Sequence, residues 1–345
     1  MTDRLTLARP DDWHLHLRDG PALSAVVDAT ARVFGRAIVM PNLKPPVTTV
    51  AAAEAYRARI LAALPAGRAF EPLMTLYLTD NTSADEIRRA AESGIVHAVK
   101  YYPAGATTNS DAGVTAIERA YPALAAMERH DVVLCLHGEV TDAAVDVFDR
   151  ERVFVDTLLT RVVRDLPGLR IVLEHVTTHE AVAFVREAGP NVAATLTPQH
   201  LLYSRNAMLV GGVRPHLYCL PILKRETHRR ELVAAAVSGN PKFFLGTDSA
   251  PHARPTKETS CGCAGCYSAP VALPLYAEAF EDAGALDKLE GFASFFGADF
   301  YRLPRNAGQV TLERVTTGVP AELPFGSAGG IVPLRGGETV RWRVL

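Results

Sequence analysis

His14 and His16 stand two residues apart in Asp12-Trp13-His14-Leu15-His16, a stretch with the alternation of a β-strand. Residues i and i+2 of a strand share a face, so both imidazoles project to one side, where they can reach one metal ion. Imidazole suits zinc and other first-row divalent ions. Three further β-type runs end in ligand residues: Cys135-Leu136-His137, Leu173-Glu174-His175 and Gly246-Thr247-Asp248. Four imidazoles and one carboxylate are too many for one tetrahedral zinc and suit two metals, provided a group bridges them. Lys100, closing Ala98-Val99-Lys100, is the odd member, because an ammonium among cations is repelled and costly to desolvate. A neutral lysine amine that adds carbon dioxide becomes a carbamate, a negative group with two oxygen donors that can bridge two zinc ions. The plainer reading is a lysine that pairs with a carboxylate or reaches solvent. His97, His130, His179, His200, His216 and His228 read as structural, hydrogen-bonded histidines.

These residues need a scaffold that gathers strand ends. Short apolar, β-branched runs alternate with longer Ala-rich helical patterns. The pattern predicts strands at Asp12–His16, Arg36–Met40, Leu73–Leu78, His97–Tyr101, Asp131–His137, Arg170–His175, Val192–Thr195 and Lys242–Thr247. It predicts helices at Leu23–Val33, Val50–Leu64, Ser83–Glu92, Gly113–Arg129, Arg152–Asp165, His179–Glu187 and Arg229–Ser238. Repeated β-then-α units imply a parallel α/β sheet. Their number suits a (β/α)8 TIM barrel, in which chemistry collects at the C-terminal ends of the strands. A doubly wound sheet is the alternative, but its Gly-rich turn G-x-G-x-x-G is absent. Residues 1–345 read as a single barrel domain. Within it, 305–345, with a β-type stretch at Glu338–Val344, forms a short C-terminal extension packed on the barrel.

The composition narrows the function classes. With 36 basic and 38 acidic residues the formal charge is −2, and there is no electrostatic footprint for nucleic acid. The longest apolar runs, such as 132–136, are too short to span a bilayer, and Met1-Thr2-Asp3-Arg4 lacks a secretory pattern. The expectation is a soluble, cytoplasmic protein. Only six basic residues are lysine, among them Lys100 and Lys257. Five cysteines, three of them in Cys261-Gly262-Cys263-Ala264-Gly265-Cys266, do not suggest a disulfide framework.

The segment Asp12-Trp13-His14-Leu15-His16-Leu17-Arg18-Asp19-Gly20 resembles the signature of the amidohydrolase superfamily in its dihydroorotase form. Met40-Pro41-Asn42-Leu43, the segment from Lys100 to Asn109, His137-Gly138-Glu139 and Leu173-Glu174-His175 continue the likeness. So do Gly211-Gly212-Val213-Arg214-Pro215-His216, the segment from Gly246 to His252, and the Cys-rich stretch, all in order between residues 12 and 270. The likeness is to the shorter, homodimeric bacterial class. It implies two zinc ions per chain, with His14 and His16 on the more buried one and His137 and His175 on the other. N6-carboxylated Lys100 and a hydroxide would bridge them. Asp248 would bind the buried metal and shuttle the proton. Arg18, Asn42 and His252 would hold the substrate carboxylate, backbone groups near Leu220 and Ala264 would contact the pyrimidine ring, and Thr107 and Thr108 would ride on a mobile loop. The Cys-rich stretch would then belong to an active-site loop rather than a zinc knuckle.

The implied reaction is the reversible cyclisation of N-carbamoyl-L-aspartate to L-dihydroorotate plus water, in pyrimidine (UMP) synthesis. The implied partner is this small molecule, with a homodimer as the assembly. Another cyclic amidohydrolase, of hydantoinase or allantoinase type, would use the same metal centre, but Arg18, Asn42 and His252 suit a carboxylated ring. A catalytically silent homologue serving as an assembly subunit would be expected to have lost ligands, and every ligand position is filled.

Overall fold

The computed structural model describes residues 3–260 and 262–345, so Cys261 of the Cys-rich stretch lies outside the described residues. A first strand, β1 (Arg4–Ala8), leads into eight parallel strands that neighbour one another in chain order. They are β2 (Asp12–Leu15), β3 (Arg36–Val39), β4 (Glu71–Tyr77), β5 (Val96–Tyr101), β6 (Val133–Leu136), β7 (Ile171–Leu173), β8 (Val192–Leu196) and β9 (Phe243–Leu245). The outer strands meet at their tips, where the Asp248 N–H donates to His14 O (2.9 Å) and the His16 N–H to Ser249 O (3.1 Å). Lower in this seam the Asp12 carboxylate accepts from the Thr247 N–H (2.9 Å), the Thr247 hydroxyl (2.6 Å) and the His14 N–H (3.1 Å). The fold is a TIM barrel.

Strands covered on both faces need apolar residues on both. Ile38, Leu73, Ala98, Val133, Val172, Ala193 and Phe244 fill the barrel, while Val39, Val99, Leu134, Leu173, Ala194 and Leu245 join the core under the helices. Trp13 plugs the barrel interior and stacks on Tyr301 with ring centroids 4.6 Å apart. The packed lower interior leaves the C-terminal rim as the place where polar side chains converge. The helices at Val50–Ala63, Ala84–Glu92 and His179–Glu187 each start on a hydroxyl cap, from Thr49, Ser83 and Thr178. Such a cap satisfies an N–H that the first turn leaves open.

Several expected elements shorten. The strands foreseen to end at His137, His175 and Thr247 stop at Leu136, Leu173 and Leu245, so the ligand residues occupy irregular backbone just beyond them. β2 also departs from strict alternation. Its pairing with β3 shifts register between Asp12 and Leu15, which lets Trp13 join the inner cluster while Leu15 joins the outer core.

The C-terminal segment forms β10 (Gln309–Gly318), β11 (Leu323–Pro324), β12 (Gly330–Ile331) and β13 (Thr339–Val344). β10 is the centre of an antiparallel sheet with β1 on one side and β13 on the other. The extension is therefore built jointly with the N-terminus, a pairing between distant segments that local periodicity does not reveal.

Candidate metal centre and active site

At the rim, period two lines up Ile38, Met40 and Asn42, and likewise Ala98, Lys100 and Tyr102. His14 Nε2 and His16 Nε2 lie 3.2 Å apart. Asp248 Oδ1 is 3.3 Å from the first and 3.2 Å from the second. Bonds of about 2.0–2.1 Å to a tetrahedral zinc imply ligand–ligand edges of about 3.3–3.4 Å. These three donors therefore fit one such ion. Burial keeps His14 and His16 well below the ordinary imidazole range, helped by the Lys100 charge, so their lone pairs are available. His16 Nδ1 faces Asn42 Oδ1 at 2.8 Å, which fixes Nε2 as the donor nitrogen.

The other side is arranged differently. Lys100 is fully buried, its ammonium against Glu174 and 4.8 Å from the centre of the Tyr102 ring. Burial pushes Glu174 up to about 7, while Lys100 pulls it back. The Glu174 Oε1 and His14 Nδ1 atoms lie 3.3 Å apart, and both, like His175 Nδ1, are buried without a hydrogen-bond partner. His14, Glu174 and His175 also form a second group with donor atoms close enough for one ion. Orphaned polar atoms of this kind are costly unless something satisfies them. With His14 Nε2 turned to the first ion, its Nδ1 carries the hydrogen and faces Glu174, which leaves His175 Nδ1 and Glu174 as the free donors for a second cation. His137 Nε2 meets Glu139 Oε2 at 2.7 Å, leaving Nδ1 with the free lone pair. A carboxylate on the far nitrogen is the usual support of a ligating histidine.

Two buried carboxylates hold the irregular backbone. His175 and Asp248 have φ of 44° and 45°, left-handed values that cost about 1–3 kcal/mol for a non-glycine residue. Glu151 accepts from the N–H groups of Thr177 (3.0 Å) and Thr178 (2.8 Å) and from both hydroxyls (2.6 Å each). Asp12 grips Thr247 in the same way. Each carboxylate thus fixes the turn beside one strained residue.

One cavity is lined by His14, His16, Arg18, Asn42, Tyr102, Thr107, Thr108, His137, His175, Leu220, Asp248 and Ala264. Lys100 is fully buried and outside this lining, and His252 stands behind Arg18, its Nε2 2.9 Å from Arg18 Nη2 and 3.0 Å from Ala264 O. Burial and Arg18 push His252 down to about 2, so it is neutral. Arg18 Nε donates to Pro251 O (2.9 Å). Thr108 bridges the cavity, its hydroxyl 3.3 Å from Ala264 O and its carbonyl accepting from Asn42 Nδ2 at 3.1 Å. Asp248 is pushed up to about 7 by burial, against the opposing pull of Lys100, His137 and Arg18. A carboxyl group placed beside the reacting bond can both accept and return a proton. None of the candidate metal clusters among the described residues includes Cys263 or Cys266.

Sequence reasoning missed Glu174, Glu139 and Glu151 as parts of the site. Glu139 was within reach, since it stands two residues after His137, the same spacing that singled out His14 and His16.

The profile of the Amidohydrolase family matches residues 12–313. A dihydroorotase of Cupriavidus necator is 68% identical, over 99% of each chain. A dihydroorotase of Saccharomyces cerevisiae, solved in complex with 5-fluoroorotic acid, superposes with a TM-score of 0.92 at 33% identity, covering 100% of this chain and 99% of that one. A dihydroorotase of Campylobacter jejuni gives 0.91 at 34%, covering 100% and 98%.

Proposed function

The chain belongs to the amidohydrolase family, among its dihydroorotases, and from that membership we propose that it interconverts N-carbamoyl-L-aspartate and L-dihydroorotate plus water, a step of pyrimidine synthesis. The observation that carries this substrate is the place of Arg18. Its half-buried guanidinium lines the same cavity as the His14–His16–Asp248 donors, beside Asn42 and against His252. A carboxylate on the ring would meet charge-assisted hydrogen bonds there, and a neutral cyclic amide would leave the guanidinium charge without an anion.

Two zinc ions would be held by His14, His16 and Asp248 on one side and His137 and His175 on the other, with carboxylated Lys100 between them. Bound there, they would supply ionised water near neutral pH and polarise the amide carbonyl. The protein does the rest. Asp248 takes the proton in the hydrolytic direction and returns it to the departing amide nitrogen. Arg18, Asn42 and His252 orient the carboxylate, and backbone groups near Leu220 and Ala264 hold the ring. Thr107 and Thr108, from one loop, keep water out while the bond is exchanged. Ring closure consumes a proton, so low pH favours L-dihydroorotate.

The same membership supports a homodimer working in the cytoplasm on a small-molecule substrate. No helix among the described residues is long and apolar enough to cross a membrane. Residues 305–345 are read as a structural flank of the one barrel domain. The test is turnover by the zinc-loaded protein. L-dihydroorotate is expected to be hydrolysed well, and hydantoin and allantoin poorly or not at all. Turnover of hydantoin or allantoin without turnover of L-dihydroorotate would overturn the assignment.

A further inference from the structure

Lys257 closes a single helical turn, Arg254–Lys257, and is 3% exposed. An ammonium has three donors, and here each goes to a backbone carbonyl: Tyr218 O (2.8 Å), Cys263 O (2.7 Å) and Gly265 O (2.8 Å). Burying a charge is costly, and hydrogen bonds of good geometry are what offset it. An apolar side chain would leave Cys263 O and Gly265 O without this donor, so the charge is explained by the carbonyls it holds and orients.

Two of the three carbonyls flank Ala264. With Cys263 O and Gly265 O both turned to Lys257, the Ala264 carbonyl faces away from it. That oxygen meets His252 Nε2 at 3.0 Å and the Thr108 hydroxyl at 3.3 Å. The third carbonyl, Tyr218 O, also accepts the Gly265 N–H at 2.9 Å, which ties the segment leading to Leu220 to the same staple. Gly265 has φ +148°, and a Cβ there would come within 2.8 Å of Ala250, so the segment is pressed against the tip beyond β9.

We propose that Lys257 is a positioning residue: it sets the direction of the Ala264 carbonyl and the Tyr218–Leu220 backbone, fixing the ring-binding wall and the point on which Thr108 docks. This rests on the reading of Leu220 and Ala264 as substrate contacts. Lys257 touches neither the reacting atoms nor the candidate metal ligands, so its loss is read in binding rather than in the metal centre.

The test compares zinc-loaded wild type, Lys257→Met, Thr108→Val and the double variant with L-dihydroorotate as substrate, with zinc content measured alongside. Lys257→Met keeps the stem and removes the donors. Its KM is expected to rise about tenfold or more, with kcat within about threefold and zinc content unchanged. If Lys257 acts through the Ala264 carbonyl, adding Thr108→Val to Lys257→Met lowers kcat/KM by no more than about twofold further, a non-additive pair. An unchanged KM, or fully additive losses, would overturn the proposal. If Lys257→Met does not fold, Lys257→Gln, which removes the charge and at least one of the three donors, provides the readout, and failure of both to fold would assign Lys257 to folding alone. A wild type inert toward L-dihydroorotate would instead sink the functional reading, so the two failures are told apart.

Discussion

His14, His16 and Asp248 meet with their donor atoms 3.2–3.3 Å apart, whereas Lys100 is paired with Glu174 and His137 with Glu139. The first group is shaped by the barrel itself. β2 and the tip beyond β9 are clasped by backbone hydrogen bonds and by Asp12, so its three donors are gathered at the moment the barrel closes. On the proposed reading, the second group depends on a chemical change. Lys100 as an ammonium satisfies Glu174 and repels cations, and only as a carbamate does it offer oxygens. That conversion would also leave Glu174 without its cation, at a carboxyl already pushed up to about 7. Under the proposed reading, one half of the centre would be set by folding, and the other by folding plus carbon dioxide and metal.

Lys100→Ala breaks this contrast most directly. It should abolish binuclear loading and lower turnover about 10⁴-fold or more, because the water activation of a paired centre goes with it. Metal analysis should find about one zinc per chain, on the side set by folding. Two tightly held ions in this variant would contradict the bridge. Asp248→Asn should leave the fold and much of the metal in place while lowering kcat about 10³-fold, the scale of a lost general acid–base. Near-native kcat would remove Asp248 from proton transfer.

Two milder variants compare the supporting residues. Asn42→Ala frees His16 Nδ1, and Glu139→Gln weakens the hold on His137. Each should cost about 10–100-fold in affinity for one zinc of the two, the usual effect of a lost outer-shell partner. Competition with a chelator should show Asn42→Ala weakening the tighter ion and Glu139→Gln the looser one, and the reverse order would invert the comparison. An effect of similar size, but on substrate rather than metal, is expected of Arg18→Ala. Its KM for L-dihydroorotate should rise about 10–100-fold, from the loss of a hydrogen-bonded charge worth about 1.5–3 kcal/mol. An unchanged KM would remove the carboxylate from Arg18.

The barrel was legible because its strands are short apolar runs bounded by polar turns, and residue order alone carried the parallel topology. The pair His14 and His16 was legible from spacing, although the register shift at β2 means that alternation holds there only in part. His137, His175 and Asp248 were legible as types at strand ends, but not their backbone, since the left-handed turns at His175 and Asp248 depend on Glu151 and Asp12 from elsewhere in the chain. Glu174 went unnoticed because its role comes from Lys100, 74 residues away. The β1–β10 pairing was invisible for the same reason, as it joins opposite ends of the chain.

Lys100 is proposed to work as a carbamate between two metals. A crystal structure of the zinc-loaded protein, prepared with bicarbonate, tests it directly. The account predicts density for a carboxyl group on Lys100 Nζ, with one zinc on His14, His16 and Asp248 and a second on His137 and His175. A bare Lys100 amine still paired with Glu174 while both ions are bound would contradict it.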